Sequence, residues 1–210
     1  MMENNNAPLK GLVLCGGHST RMQENKSSIH YHGMPQWQYL MELLQSFQLE
    51  TYLSCRVDQQ QDFDSYPLLI PDNVPYGGPS AGLLSARQYQ PGTAWLVLAC
   101  DLPLISRQSL EILINAREKD CAATAFKSPV DLMPEPLIAI WEPAGLDALL
   151  ENVAAGKNCP RKTLLNTGIQ LLNNRYYEEQ YNANTPAEKA EAVRQISSQS
   201  PHSQKTPSSR

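Results

Sequence analysis

Residues 94–100 are apolar without a break, and the run stops at Asp101-Leu102-Pro103. A short apolar run with no polar alternation reads as a strand buried on both faces. Such a strand needs a covering layer on each side, and the chain around it supplies one. Residues 9–15 form a second short apolar run, halted by Gly16-Gly17, which reads as a buried strand entering a glycine loop. Pro35 opens a helix, and Trp37, Leu40, Leu44 and Phe47 recur at helical spacing on one face. Short strands follow at 51–55 and 67–70, then a helix at 80–89. After the 94–100 strand, Ser106 caps a helix with Leu110, Leu113 and Ile114 on its apolar face, and a strand follows at 121–126.

Strand and helix in alternation predict parallel strands with helices on both faces, joined by right-handed crossovers. Beyond Lys127 the rhythm loosens. A strand at 137–141, a helix at 142–152, a short helix at 160–166, a strand at 169–172 and a helix from Pro186 to about residue 196 complete the pattern. The fold class expected is α/β, a three-layer arrangement around a mostly parallel sheet. At 210 residues one core is favoured over two. We expect a single domain at 9–196, a flexible stretch at 1–8 and a disordered tail at 197–210, where Ser, Gln, Lys and Pro dominate.

A formal net charge of −4 argues against a nucleic-acid-binding surface. No run of some 18 apolar residues predicts a membrane span, and the polar start has no apolar signal core, so a cytoplasmic protein is expected. Cys15, Cys55, Cys100, Cys121 and Cys159 read as free thiols in a reducing compartment. His18, His30 and His32 lack an acid or cysteine at zinc-ligand spacing. Trp37, Trp95 and Trp141 read as core residues, with stacking on a ligand ring as the other reading.

Ligands of open parallel sheets bind beyond the carboxyl ends of the strands. Three features converge there: the loop Gly16-Gly17-His18-Ser19-Thr20-Arg21 continuing to Lys26, then Asp72, then Asp101. Glycines let backbone N–H groups approach an anion, and Arg21 and Lys26 can neutralise phosphate charge. The spacing matches neither a Walker A loop nor the GxGxxG fingerprint, and a plain tight turn with two solvated cations reads equally well. Asp101 is either a hard-metal ligand or a turn cap, and Asp72 in Pro71-Asp72-Asn73 has the same ambiguity.

The stretch Leu14-Cys15-Gly16-Gly17-His18-Ser19-Thr20-Arg21-Met22, with Lys26 behind it, resembles the signature loop of the molybdenum cofactor guanylyltransferases. These belong to a wider nucleotidyltransferase group with a glycosyltransferase-A-like fold. Gly33-Met34-Pro35-Gln36-Trp37, Gly78-Pro79-Ser80-Ala81-Gly82, Cys100-Asp101-Leu102-Pro103 and Asn182-Ala183-Asn184-Thr185-Pro186 resemble further family segments, in family order. The resemblance implies transfer of GMP from GTP to molybdopterin, with Mg²⁺, release of pyrophosphate and formation of the guanine dinucleotide cofactor. It implies nucleotide contacts at Leu14, Cys15, Gly16, Gly17, Ser19, Asp72 and Gly82. Arg21 and Lys26 would hold the triphosphate, Asp101 would bind the metal, and Asn182 and Asn184 would shape the acceptor side. Glu135 and Arg161, with Lys162 beside it, are further acceptor-side candidates, against readings as a surface turn and a solvated helix end. The partners implied are a small-molecule nucleotide and a pterin phosphate, with enzymes that make or accept the molybdenum cofactor beyond them. Gln23 stands where the family usually has Gly, and Asn25 where it usually has Asp. Cytidylyl transfer, nucleotide transfer to sugar phosphates, and a nucleotide-binding module of low turnover are the alternatives.

Overall fold

The computed structural model describes residues 7–17, 26–63 and 65–199. Seven strands form one sheet: β1 (Leu9–Leu14), β2 (Thr51–Arg56), β3 (Leu69–Asp72), β4 (Ala94–Ala99), β5 (Ala123–Lys127), β6 (Pro134–Trp141) and β7 (Ile169–Leu172). Their order is β3-β2-β1-β4-β6-β5-β7. The first four run parallel, with Leu14 opposite both Ser54 and Ala99, and Arg56 opposite Asp72. β6 is antiparallel to β4 and to β5, and β7 is parallel to β5. The reversal has a local cause. Ser128 N–H donates to the Met133 carbonyl at 2.7 Å, closing a hairpin too short to carry the chain back for a parallel pairing.

The helices are α1 (Gln36–Gln45), α2 (Pro79–Tyr89), α3 (Arg107–Asn115), α4 (Pro143–Ala154), α5 (Pro160–Leu165) and α6 (Pro186–Gln199). Alternate residues of the central strands feed two cores. Val13, Leu53, Leu96 and Leu98 pack with Leu40 and Leu44 of α1 and Leu110 and Leu113 of α3. Leu12, Tyr52, Trp95 and Val97 pack with Leu83 of α2, Leu149 of α4 and Leu164 of α5. The fold is therefore the expected α/β sandwich, with a helical layer on each face of a mostly parallel sheet. Trp95 and Trp141 are fully buried, and Trp37 packs edge-on against Phe63 with ring centroids 5.6 Å apart.

Differences from the expected boundaries have physical reasons. β3 extends through Pro71 to Asp72, because it lies at the sheet edge, where a missing backbone N–H costs little. α1 ends at Gln45, and Gln48 turns the chain at φ +60, so Phe47 packs on the core from outside the helix. α6 continues to Gln199. The Ser106 hydroxyl caps α3 by accepting from Gln108 N–H at 3.2 Å. Ala7 and Pro8 are tied down, their carbonyls accepting from Arg117 and Ala94 N–H. A third, smaller cluster joins Ile29 and Tyr31 to Leu104, Ala183 and Ala192, seating α6 over the segment that follows β4. Among the described residues no helix is long and apolar enough to cross a membrane.

Candidate functional site

A cleft opens at the carboxyl ends of β1 to β4. Its floor is Leu14, Cys15, Gly16 and Gly17 on one side and Cys100 and Asp101 on the other, with Asp72 and Gly82 in the wall. The register places these ends level, because Leu14 pairs across to Ser54 and Ala99. The helix that forms the wall starts at Gly78, whose φ of 68° and ψ of −158° belong to a region populated almost only by glycine. Pro79 then fills the first helical position, where its missing N–H costs nothing.

Two glycines allow the close packing. A Cβ on Gly82 would lie 2.5 Å from Ser54 Oγ and 2.6 Å from Leu14 Cδ2, and one on Gly16 would lie 2.6 Å from Asp72 Oδ2. α2 can thus press onto β1 and β2, and the Asp72 carboxylate can lie against the loop backbone. Ser54 Oγ donates to Asp72 Oδ1 at 2.6 Å. Burial raises the Asp72 carboxyl above its ordinary value, while the Ser54 hydrogen bond and the Arg56 charge pull it down. Arg56 reaches the Gly16 carbonyl at 3.4 Å while paired to Asp58. Ser54 and Arg56 were not legible as site residues. The one signal in the sequence is a polar Ser between Leu53 and Cys55 in β2.

Asp101 stands where this cleft meets a second one, lined by Asp101, Leu137, Glu135, Arg161, Asn182 and Asn184. The C-terminal segment arrives there through Ala183 N–H, which donates to the Asp101 carbonyl at 2.9 Å, and Asn184 N–H is capped by Glu188 at 2.7 Å. Arg161 is held at 2.9 Å from both Asp131 and Glu135, so the guanidinium is fixed by two carboxylates. Lys162 lines a separate hollow with Lys157 and Asn166. The turn after Asp101 is gripped from α1 and the segment before it. Gln36 Nε2 donates to the Leu102 carbonyl at 3.0 Å, His32 Nε2 lies 2.8 Å from the Pro103 carbonyl, and the Tyr39 hydroxyl donates to the Ile105 carbonyl at 3.0 Å. His32 stacks on Tyr39 at 3.7 Å, and burial lowers its pKa, with the Pro103 hydrogen bond opposing. Gln36 is fully buried, and its Oε1 has no hydrogen-bond partner among the described residues. This grip explains why the first long helix opens with Gln36.

Cys15 and Cys100 lie side by side in the floor, Sγ to Sγ 2.8 Å. Burial pushes the Cys15 thiol well up, and the Cys100 sulfur adds to the effect. Of the predicted phosphate-loop residues, Ser19 and Arg21, with Gln23 and Asn25, lie outside the described residues. Lys26 begins a short 3-10 turn. The residues fit a hard divalent cation in one respect. Asp101 offers a carboxylate at the junction of the two clefts, and Mg²⁺ is commonly held by one or two carboxylates with water and phosphate oxygens completing the shell.

A family model described as a MobA-like NTP transferase domain matches residues 11–170, from β1 into β7. A molybdenum cofactor biosynthesis bifunctional protein of Synechocystis sp. is 36% identical over 167 residues, covering 79% of this chain and 48% of that protein. The chain therefore spans about half the length of that relative. A probable molybdenum cofactor guanylyltransferase of Flavobacterium johnsoniae is 28% identical over 166 residues, covering 79% of this chain and 85% of that protein. In fold, the chain resembles molybdopterin-guanine dinucleotide biosynthesis protein A from Archaeoglobus fulgidus, with a TM-score of 0.75 at 24% identity over 90% of this chain and 99% of that one. A similar match is a CMP:2-keto-3-deoxy-manno-octonic acid synthetase complexed with CTP, with a TM-score of 0.68 at 12% identity over 91% of this chain and 99% of that one. The matched stretch carries β1 to β6 and both clefts' shared carboxylate, and the chain belongs to the MobA-like NTP transferase family.

Proposed function

We propose that the protein transfers GMP from GTP to the terminal phosphate of molybdopterin, with Mg²⁺, and releases pyrophosphate. One observation carries the reading: two clefts, one walled by glycines and a half-buried carboxylate, the other by Glu135, Arg161, Asn182 and Asn184, meet at Asp101 and Leu137. A transferase of this kind needs a donor pocket and an acceptor pocket that open onto one point.

In this reading Leu14, Cys15, Gly16 and Gly17 lie along the nucleotide, with backbone groups reading the base. Asp72, an acceptor through both oxygens when ionised, faces the N–H donors of the guanine edge. Arg21 and Lys26 hold the triphosphate and the departing pyrophosphate, Ser19 is a further nucleotide contact, and Gly82 lies in the wall beside Asp72. Asp101 is the ligand for Mg²⁺, which when bound neutralises charge on the phosphate oxygens. Arg161, fixed by Glu135 and Asp131, and the amides of Asn182 and Asn184 orient the acceptor phosphate. An acceptor phosphate oxygen bonds to the α-phosphorus of GTP as the bond to the β-phosphate bridging oxygen breaks. No covalent enzyme intermediate is required. Positioning and electrostatic stabilisation carry such a step.

The test is calorimetric titration with GTP, CTP and ATP, each with Mg²⁺, followed by pyrophosphate release on adding molybdopterin. Selective GTP binding with acceptor-dependent release supports guanylyl transfer. CTP selectivity assigns the protein to cytidylyl transfer instead. Binding of none of them, or GTP binding with no release, overturns the proposal.

A further inference from the structure

The transfer chemistry leaves one pair of thiols unused. Cys15 and Cys100 are the first residues beyond β1 and β4, and those strands are parallel neighbours with Leu14 opposite Ala99. Cys100 N–H donates to the Leu14 carbonyl at 3.2 Å, so the pairing continues to the cysteines. Neighbouring strands lie about 4.8 Å apart, inside the roughly 4.4–6.8 Å Cα separation that a disulfide spans. Both side chains turn to the same side, with the sulfurs in contact at 2.8 Å. They are 3% and 5% exposed, and the surface they show lies in the cleft. Backbone register and side-chain direction therefore both meet the requirements of a cross-strand bond, although 85 positions separate the two residues.

We propose that Cys15 and Cys100 form a reversible disulfide in the floor of the cleft, made by exchange with a small disulfide such as oxidised glutathione. One cysteine, as thiolate, attacks the oxidant and expels one glutathione thiolate. The other cysteine then attacks the mixed disulfide and expels the second. Two S–H bonds and the oxidant's S–S bond break. The Cys15–Cys100 bond forms, the pair is oxidised by two electrons, and the oxidant leaves as two thiols. The bond ties the loop at Gly16-Gly17 to the strand end that carries Asp101. Its link to nucleotide binding rests on the transfer reading: a nucleotide in the cleft covers the sulfurs and slows the exchange.

The test treats the full chain with oxidised glutathione, traps remaining thiols with an alkylating agent under denaturing conditions, and maps the digest by mass spectrometry. The expected result is a linked peptide pair joining Cys15 to Cys100, lost on reduction with dithiothreitol and missing from Cys100→Ser. Recovery of both residues as alkylated thiols, a stable glutathione adduct on either, or a link from Cys15 to Cys55 would overturn the proposal. The wild-type map decides the matter even where Cys100→Ser does not fold. Repeating the reaction with saturating GTP separates the two ideas. Slower bond formation supports both, whereas an unchanged rate leaves the disulfide standing and counts against the nucleotide reading.

Discussion

The two ends of the sheet are built to different ends. At the end opposite the cleft, Glu142 is fully buried and takes two hydrogen bonds from Arg117, at 2.6 and 2.9 Å, while Arg117 also donates to the Ala7 carbonyl. Both of these charges are paired, and Gly145 of α4 lies against the Ala122 backbone with no space for a side chain. At the cleft end, by contrast, Asp72 is desolvated with a hydroxyl as its hydrogen-bond partner, and Gly78 holds a conformation few residues adopt. One end is closed, and its packing serves stability. The other sets a half-buried carboxylate in the wall of an open cleft, where a ligand is placed to use it.

Substitutions at the two ends should separate accordingly. Asp101→Asn should lower the rate of GMP transfer by about a thousandfold, on the scale of losing one preorganised electrostatic contact or more. Its urea unfolding midpoint should stay near that of the wild type. Full transfer activity in this variant would sink the metal assignment. The mirror-image case is Glu142→Ala. It leaves the mostly buried Arg117 guanidinium without its carboxylate partner, and should destabilise the fold by about 3–5 kcal/mol in urea unfolding. The protein that remains folded should bind GTP as the wild type does. A loss of GTP affinity there would break the division of labour between the two ends.

A matched pair of glycines sharpens the comparison. Gly82→Ala and Gly145→Ala both insert a methyl group into occupied space, and each should cost about 1–3 kcal/mol in stability. Gly82→Ala alone should also weaken GTP binding in a calorimetric titration, because the atoms it displaces belong to Ser54 and Leu14 beside Asp72. Equal GTP affinity in the two variants would show that α2 does not shape the nucleotide pocket.

These contrasts also show which parts of the molecule sequence patterns reveal. Apolar runs disclose strands such as β4, and their ends disclose Asp101, since burial on both faces leaves its mark on consecutive residues. The placement of β6 between β4 and β5 is hidden, because periodicity reports a strand and not its neighbours. Ser54 and Gln36 are hidden for a similar reason. Each acts on a group that is far along the chain, Asp72 at a separation of 18 and Leu102 at 66. The same holds for Cys15 and Cys100, which read as isolated thiols until the register brings them together. Conversely, the apolar pattern puts Asp72 just after its strand, whereas it lies at the last strand position, since an edge strand tolerates Pro71.

Gln36→Leu tests whether the grip on the turn after Asp101 matters. It removes the bond to the Leu102 carbonyl and the unpartnered oxygen together, two effects of opposite sign, so stability should change by about 1 kcal/mol or less. Transfer should fall about tenfold, in kcat more than in KM for GTP, because the carboxylate is displaced rather than the base pocket. Equal changes in kcat and KM would mean that Gln36 is structural only.

The smallest effect is the most direct probe of the desolvated carboxyl at the cleft. Burial raises the Asp72 carboxyl, against the pull of Ser54 and Arg56. A carboxyl whose value is higher in the folded state than in the unfolded state binds its proton more tightly when folded. Its contribution to stability is therefore complete below the unfolded value, near pH 4, and is lost as the pH rises through the folded one. The amide introduced by Asp72→Asn never ionises and keeps an acceptor for the Ser54 hydroxyl. In urea unfolding, the difference between Asp72→Asn and wild type should thus shift in favour of the variant as the pH rises from about 4 to 7, while its GTP affinity at neutral pH falls. A shift in the opposite direction would mean that the ionised carboxylate is stabilised in the fold. The Asp72 carboxylate would then be stabilised in the fold as the paired Glu142 is at the opposite end of the sheet, and the contrast between the two would disappear.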